Sequence, residues 1–158
     1  MKPAFIFPGQ GSQRVGMGLE LAQEYPVAHE IFAQADRILG LSLSSLAWYG
    51  PDAELNDTIN TQPALFTHAI AALKVLKTHF PDLTPVAVAG HSMGELSALT
   101  AAGVFNFENG LHLSRTRGTL MKRAGELSPG GMAAVLGLEI PTIEEICRNA
   151  SQENDTVQ

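Results

Sequence analysis

A chain of 158 residues with 45% hydrophobic and 16% charged side chains has the make-up of one globular domain with a real core. Its net charge of −6 speaks against nucleic-acid binding, which uses a basic stripe, and no apolar run approaches the length of a membrane span. One cysteine, Cys147, rules out an internal disulfide and favours a reducing compartment. The first ten residues, MKPAFIFPGQ, hold a four-residue apolar run cut short by Pro8, too short for a secretory signal, so a soluble, cytoplasmic protein is expected.

In chain order, AFIF (4–7) reads as a buried strand ended by the loop PGQGSQ. Ala28, Ile31, Phe32, Ala35, Ile38 and Leu39 recur at helical spacing, and Gly40 stands where that helix should stop. Leu65, Phe66, Ala69, Ile70, Leu73 and Leu76 predict a second helix over 63–79, with Pro63 in its first turn and Pro81 closing the segment. PVAVAG (85–90) is a second strand and MGELSALTAAG (93–103) a helix. A further helix runs from Phe107, capped by Asn106, to Ala124, with Gly125 as its stop. GMAAVLGL (131–138) is a third strand candidate. Thr142 and Glu145 then form a capping box for a helix carrying Ile143, Ile146, Cys147 and Ala150. Strands alternating with helices imply an α/β fold, a parallel sheet with helices on both faces. The last residues, NDTVQ, look like a turn entering a new strand, so the chain is expected to be part of a longer protein.

The chemistry gathers at Gly90-His91-Ser92-Met93-Gly94, a G-x-S-x-G between a strand and a helix. A serine forced into such a turn has its oxygen near a helix N-terminus, where free N–H groups favour developing negative charge. The Met93 N–H is the expected first oxyanion donor. A second should come from a loop at the end of another strand, and Gln10 in PGQGSQ is the candidate through its backbone N–H. That loop fits a phosphate cradle poorly, since Arg14 stands where a third glycine would be and no G-K-[ST] follows. A glycine-rich turn without chemistry is the plain alternative for both stretches.

Together FIFPGQGSQ, TQPAL (61–65), GHSMGELSAL (90–99), RTRGTLM (115–121) and GMAAVLGL resemble, in that order, the malonyl-CoA:acyl carrier protein transacylases. The related acyltransferase domains of fatty acid and polyketide synthases share the order. The likeness runs from residue 4 to about 150, and the combination is far more specific than any one motif. It implies an α/β-hydrolase-like acyltransferase core over 1–126 and, over 127–158, the start of a smaller ferredoxin-like subdomain. It also implies transfer of a malonyl group from a coenzyme A thioester to the phosphopantetheine thiol of an acyl carrier protein, with no resident cofactor or metal. By the same resemblance Ser92 is the nucleophile, the Gln10 and Met93 N–H groups form the oxyanion hole, and Arg117 holds the malonyl carboxylate. Arg115 serves as the contrasting case of a solvent-facing helix arginine. Gln62 lines the pocket or caps a helix beside Pro63, and His91 lines the pocket at most.

The family's general base is a histidine far downstream, expected here from a missing segment or a second chain. His29, His68, His79 and His112 all fall in predicted helices without family support. Met1, three residues before the first strand, favours a free-standing enzyme over a synthase module. Two other readings stay open: a serine hydrolase or thioesterase using the same elbow, and a truncated, non-catalytic carrier-binding relative. Residues 126–158 hold one basic and six acidic residues, whereas Arg115, Arg117, Lys122 and Arg123 cluster as a docking patch for an acidic carrier. A plain solvated helix face explains that cluster equally well.

Overall fold

In a computed structural model, which describes residues 3–128, 130–131, 133, 135–153 and 157, AFIF forms β1 (Ala4–Phe7) and AVAG forms β2 (Ala87–Gly90). The two pair in parallel, Ala4 opposite Ala87 through Phe7 opposite Gly90. Bonds from Val86 N–H to Pro3 O and from His91 N–H to Phe7 O extend the ladder at either end. The α/β expectation holds, with a sheet two strands wide among the described residues. The chain divides into two units, residues 1–128 and 129–158.

In the first unit the core is mostly helix on helix. Helix α1 (Leu19–Glu24) packs on α2 (Pro26–Leu39), and α2, α3 (Leu43–Tyr49) and α4 (Asp52–Leu55) pack on the long α5 (Thr58–His79). Ala28, Ile31, Phe32 and Ala35 form the buried stripe that the spacing of α2 predicts, and Gly40 closes that helix. On α5 every residue from Thr61 to Thr67 is buried, as suits a helix enclosed by neighbours on several sides. Helix α6 (Gly94–Ala101) packs on both strands, and α7 (Phe107–Leu127) lies along α5. Asn106 caps α7 as expected, its side chain accepting from Asn109 N–H at 2.8 Å.

Several expectations change. Helix α5 starts five residues before Pro63, because Asp57 is its cap, taking Ile59 N–H at 3.1 Å. Pro63 therefore lies inside the helix. Helix α7 runs through Gly125 to Leu127. The short α1, α3 and α4 lack the sustained periodicity that would announce them, and are held by burying Ala22, Leu43, Ala47 and Leu55.

In the second unit α8 (Ile140–Ala150) begins before Thr142, with Pro141 in its first turn and Glu139 at the cap, so Thr142 and Glu145 are not a capping box. The described residues of 131–138 form no strand, and Met132 and Ala134 lie outside the described residues. A lone strand needs a pairing neighbour, and the described residues of this unit supply a helix instead. In the final stretch NDTVQ, only Val157 is among the described residues.

Candidate active site

Parallel pairing sends the loops after β1 and β2, residues 8–13 and the turn 91–93, out of the same end of the sheet. The carboxyl end of a parallel sheet is where such folds gather their ligands. Two close approaches shape the turn. A Cβ on Gly90 would stand 2.0 Å from the carbonyl carbon and oxygen of Gly94, and a Cβ on Gly94 would stand 2.4 Å from Phe7 O. Only glycine lets the chain cross itself and the end of β1 this tightly. Between them Ser92 has φ +53°, the one positive φ outside glycine among the described residues. Such backbone costs on the order of 1–3 kcal/mol and persists where its surroundings over-determine it. Here Gly94 N–H bonds His91 O at 2.9 Å and Glu95 N–H bonds Ser92 O at 3.1 Å.

Ser92 is exposed and Met93 fully buried, its residue serving as the N-cap of α6. The backbone N–H groups of Met93 and Gln10 have no partner among the described residues. The loop carrying Gln10 is tied to the start of α5. Gln10 Nε2 donates to Thr58 Oγ1 at 3.0 Å, and Gln13 Nε2 to Asn56 Oδ1 at 2.8 Å.

Arg117, on α7, reaches across to both other elements. Its Nη2 donates to Ser92 Oγ at 3.0 Å and its Nη1 to Gln62 Oε1 at 2.8 Å. Guanidinium has no acceptor, so Ser92 keeps its own proton for another partner. Gln62 is buried inside α5, not at a helix cap, and its Nε2 points at Met121 Sδ, 3.1 Å away. Both ends of the amide are thus engaged, with the oxygen facing Arg117. His91 is exposed beside the serine and sits close over Gly9.

The basic cluster is not a free patch. Arg115 is half-buried, donating to Ile59 O at 3.0 Å and Asn60 Oδ1 at 2.7 Å, which corrects its reading as solvent-facing. Burial lowers its pKa, against the pull of Asp57. Lys122 pairs with Asp57 at 2.5 Å. That hydrogen bond, then the one from Ile59 N–H, holds the Asp57 carboxyl below its ordinary range, while Lys122 is raised by the same partner. Arg123 is exposed and has no hydrogen-bond partner among the described residues.

No histidine hydrogen-bonds Ser92 among the described residues. His29 lies on α2, His68 and His79 on α5, and His112 on α7. The sequence reading missed Met121, Asn60 and the inward role of Arg115. Pro63, four residues after Ile59, marks the open carbonyl but not the residue that fills it.

Residues 4–157 match the acyl transferase domain family. The chain is 46% identical over 151 residues to the malonyl CoA-acyl carrier protein transacylase of Haemophilus influenzae, covering 96% of this chain and 48% of that protein. The solved malonyl CoA-acyl carrier protein transacylase of Coxiella burnetii superposes with a TM-score of 0.89 at 39% identity, covering 97% of this chain and 48% of that one. So does a structure of a type II PKS acyl-carrier protein in complex with its malonyl-transacylase, with a TM-score of 0.86 at 40% identity and coverage of 96% and 49%. The chain spans about half the length of the curated relatives it matches.

Proposed function

The chain belongs to the acyl transferase domain family, and from that premise we propose that the full-length protein moves a malonyl group from coenzyme A to the phosphopantetheine thiol of an acyl carrier protein. The observation that carries the reading is the hydrogen bond from Arg117 to Ser92. Malonyl is short, with its carboxylate carbon two bonds from the carbonyl that is attacked. A cation meant for that carboxylate must therefore stand beside the nucleophile, and a planar, bidentate donor suits it.

In this reading Ser92 Oγ attacks the thioester carbonyl and its proton passes to a base, which the resemblance expects as a histidine from another part of the protein. The carbonyl oxygen becomes an oxyanion received by the Met93 and Gln10 N–H groups. Collapse breaks the carbon–sulfur bond, and the coenzyme A thiolate leaves with the proton. The carrier thiol then attacks the acyl-serine ester by the reverse sequence. Arg117 turns Nη2 from Ser92 to the carboxylate while Gln62 keeps Nη1 in place, and His91 borders the pocket.

The chemistry asks for no resident cofactor, since phosphopantetheine arrives on the carrier. A cytoplasmic site of action belongs to the same reading. Residues 127–158 are read as the opening of a small ferredoxin-like subdomain. Among the described residues no helix is long and apolar enough to cross a membrane.

Arg117→Ala in the full-length protein tests the assignment. Transfer from malonyl-CoA is expected to fall on the order of a hundredfold while transfer from acetyl-CoA persists. Equal rates with both substrates before and after the change would point to a simple esterase and sink the reading.

A further inference from the structure

A proline inside a helix leaves one carbonyl without its in-helix donor. In α5 that carbonyl belongs to Ile59, because residue 63 is Pro63. Arg115 Nη1 supplies the missing donor from α7 at 3.0 Å, and its second N–H goes to Asn60 Oδ1 at 2.7 Å. Two positions further along α7, Arg117 meets Gln62, the residue just before the proline. One position beyond that, Gly118 presses so closely on α5 that a Cβ there would stand 2.6 Å from Thr58 O.

These contacts lock residues 115–118 of one helix onto residues 58–62 of the other. Sliding a helix by one residue means about 1.5 Å of translation and about 100° of rotation, which would carry Arg117 away from both Gln62 and Ser92. The Gly118 contact sets how near the helices come, but a small residue against backbone leaves sliding open. The directional bonds of Arg115 to two fixed oxygens do not.

We propose that Arg115 is a positioning residue for Arg117: by capping the Ile59 carbonyl that Pro63 leaves open, it fixes the register of α7 on α5 that presents the Arg117 guanidinium to Gln62 and Ser92. The inference rests on the reading of Arg117 as the holder of the acyl carboxylate. Arg115 itself touches neither Ser92 nor the substrate position. Its effect therefore falls on malonyl transfer, which needs the clamp, and spares acetyl transfer, which does not.

The test uses the full-length protein in four forms: unaltered, Arg115→Met, Pro63→Ala and the double variant. For each, kcat/KM is measured with malonyl-CoA and with acetyl-CoA, a carrier protein accepting the acyl group. Arg115→Met keeps the length of the side chain and removes its donors. It is expected to lower the malonyl-to-acetyl ratio at least fivefold, because small misplacements of a binding group are costly in the reacting geometry. In the Pro63→Ala background residue 63 regains an N–H that competes with Arg115 for Ile59 O, so Pro63→Ala alone is expected to lower the ratio and the added Arg115→Met to lower it less than twofold further. Such coupling is what a shared carbonyl produces and what a general loss of stability does not.

An unchanged ratio in Arg115→Met, or an equal fall in both backgrounds, would overturn the proposal. If Arg115→Met alone does not fold, a double variant that folds with the ratio of Pro63→Ala supports it, and a double variant that also fails to fold overturns it. Arg117→Ala run alongside separates the two levels. If that change leaves the ratio alone, the reading of Arg117 fails. If it collapses the ratio while Arg115→Met does not, only the positioning role fails.

Discussion

Replacing Gly94 by alanine puts a single methyl group where β1 and the serine turn meet. Its Cβ would lie 2.4 Å from Phe7 O and 2.7 Å from Pro8 O, against 3.4 Å for ordinary contact, so the start of α6 must retreat by about 1 Å. Both obstacles are backbone atoms, and one belongs to the β1–β2 ladder, so neither can turn aside as a side chain would. Overpacking of this kind costs typically 1–3 kcal/mol, and backbone against backbone belongs at the upper end. For a protein of a few hundred residues, unfolding with about 2.1 cal/mol/K of entropy per residue, that is a fall in Tm of roughly 3–5 °C. The same retreat drags Ser92 and the Met93 N–H with it, and a 1 Å error in reacting geometry is worth on the order of a hundredfold in rate. Gly125→Ala is the matched control. Nothing lies within 4 Å of its Cβ, and it sits inside α7, so alanine there should stabilise by about 0.5–1 kcal/mol. Thermal unfolding and the rate of acyl-serine formation would be followed in both variants of the full-length protein. Wild-type melting and acylation in Gly94→Ala would refute the reasoning, as would a Gly125→Ala protein that melts as early.

Gln62→Leu keeps the bulk of a fully buried side chain but strips Arg117 Nη1 and Met121 of their partner. Steady-state kinetics should show KM for malonyl-CoA rising on the order of tenfold, with acetyl-CoA much less affected. His68 is half-buried, and its pKa is lowered from 6.5, first by that burial and then by the charge of Arg14. The unfolded chain then holds the proton more readily, so the stability from neutral His68 is full above about pH 6.5 and is lost as pH falls towards the depressed folded value. Urea unfolding should weaken between about pH 7.5 and about pH 5.5, and His68→Leu should flatten that part of the slope.

The parts of the molecule legible in the sequence are those dictated locally. Gly90 and Gly94 mark the elbow because a backbone crossing tolerates no other residue, and the spacing of Ala28, Ile31, Phe32 and Ala35 marks α2 because its face is buried. Pro63 misled for the opposite reason. Its usual place in a first turn is a local preference, overridden here by Asp57 as the cap and by the tertiary donor Arg115. Arg115 and Arg117 differ in role only through the seating of α7 on α5, a contact between residues more than fifty positions apart, and no local pattern separates them. The expected strand at 131–138 had apolar, β-prone composition, yet its described residues have no strand beside them. Gln62 was placed at the site by its family-typical surroundings, while its committed amide emerged only from the packing of Met121 and Arg117 around it.

In the function proposed above, Ser92, presented by a strained turn beside Arg117, accepts a malonyl group. Intact-protein mass spectrometry of the full-length protein, mixed briefly with malonyl-CoA, tests this most directly, with Ser92→Ala run in parallel. One malonyl adduct is expected, which disappears on addition of a phosphopantetheinylated carrier protein and never forms in the variant. An unmodified wild-type mass, or an adduct that survives the loss of Ser92, would contradict it.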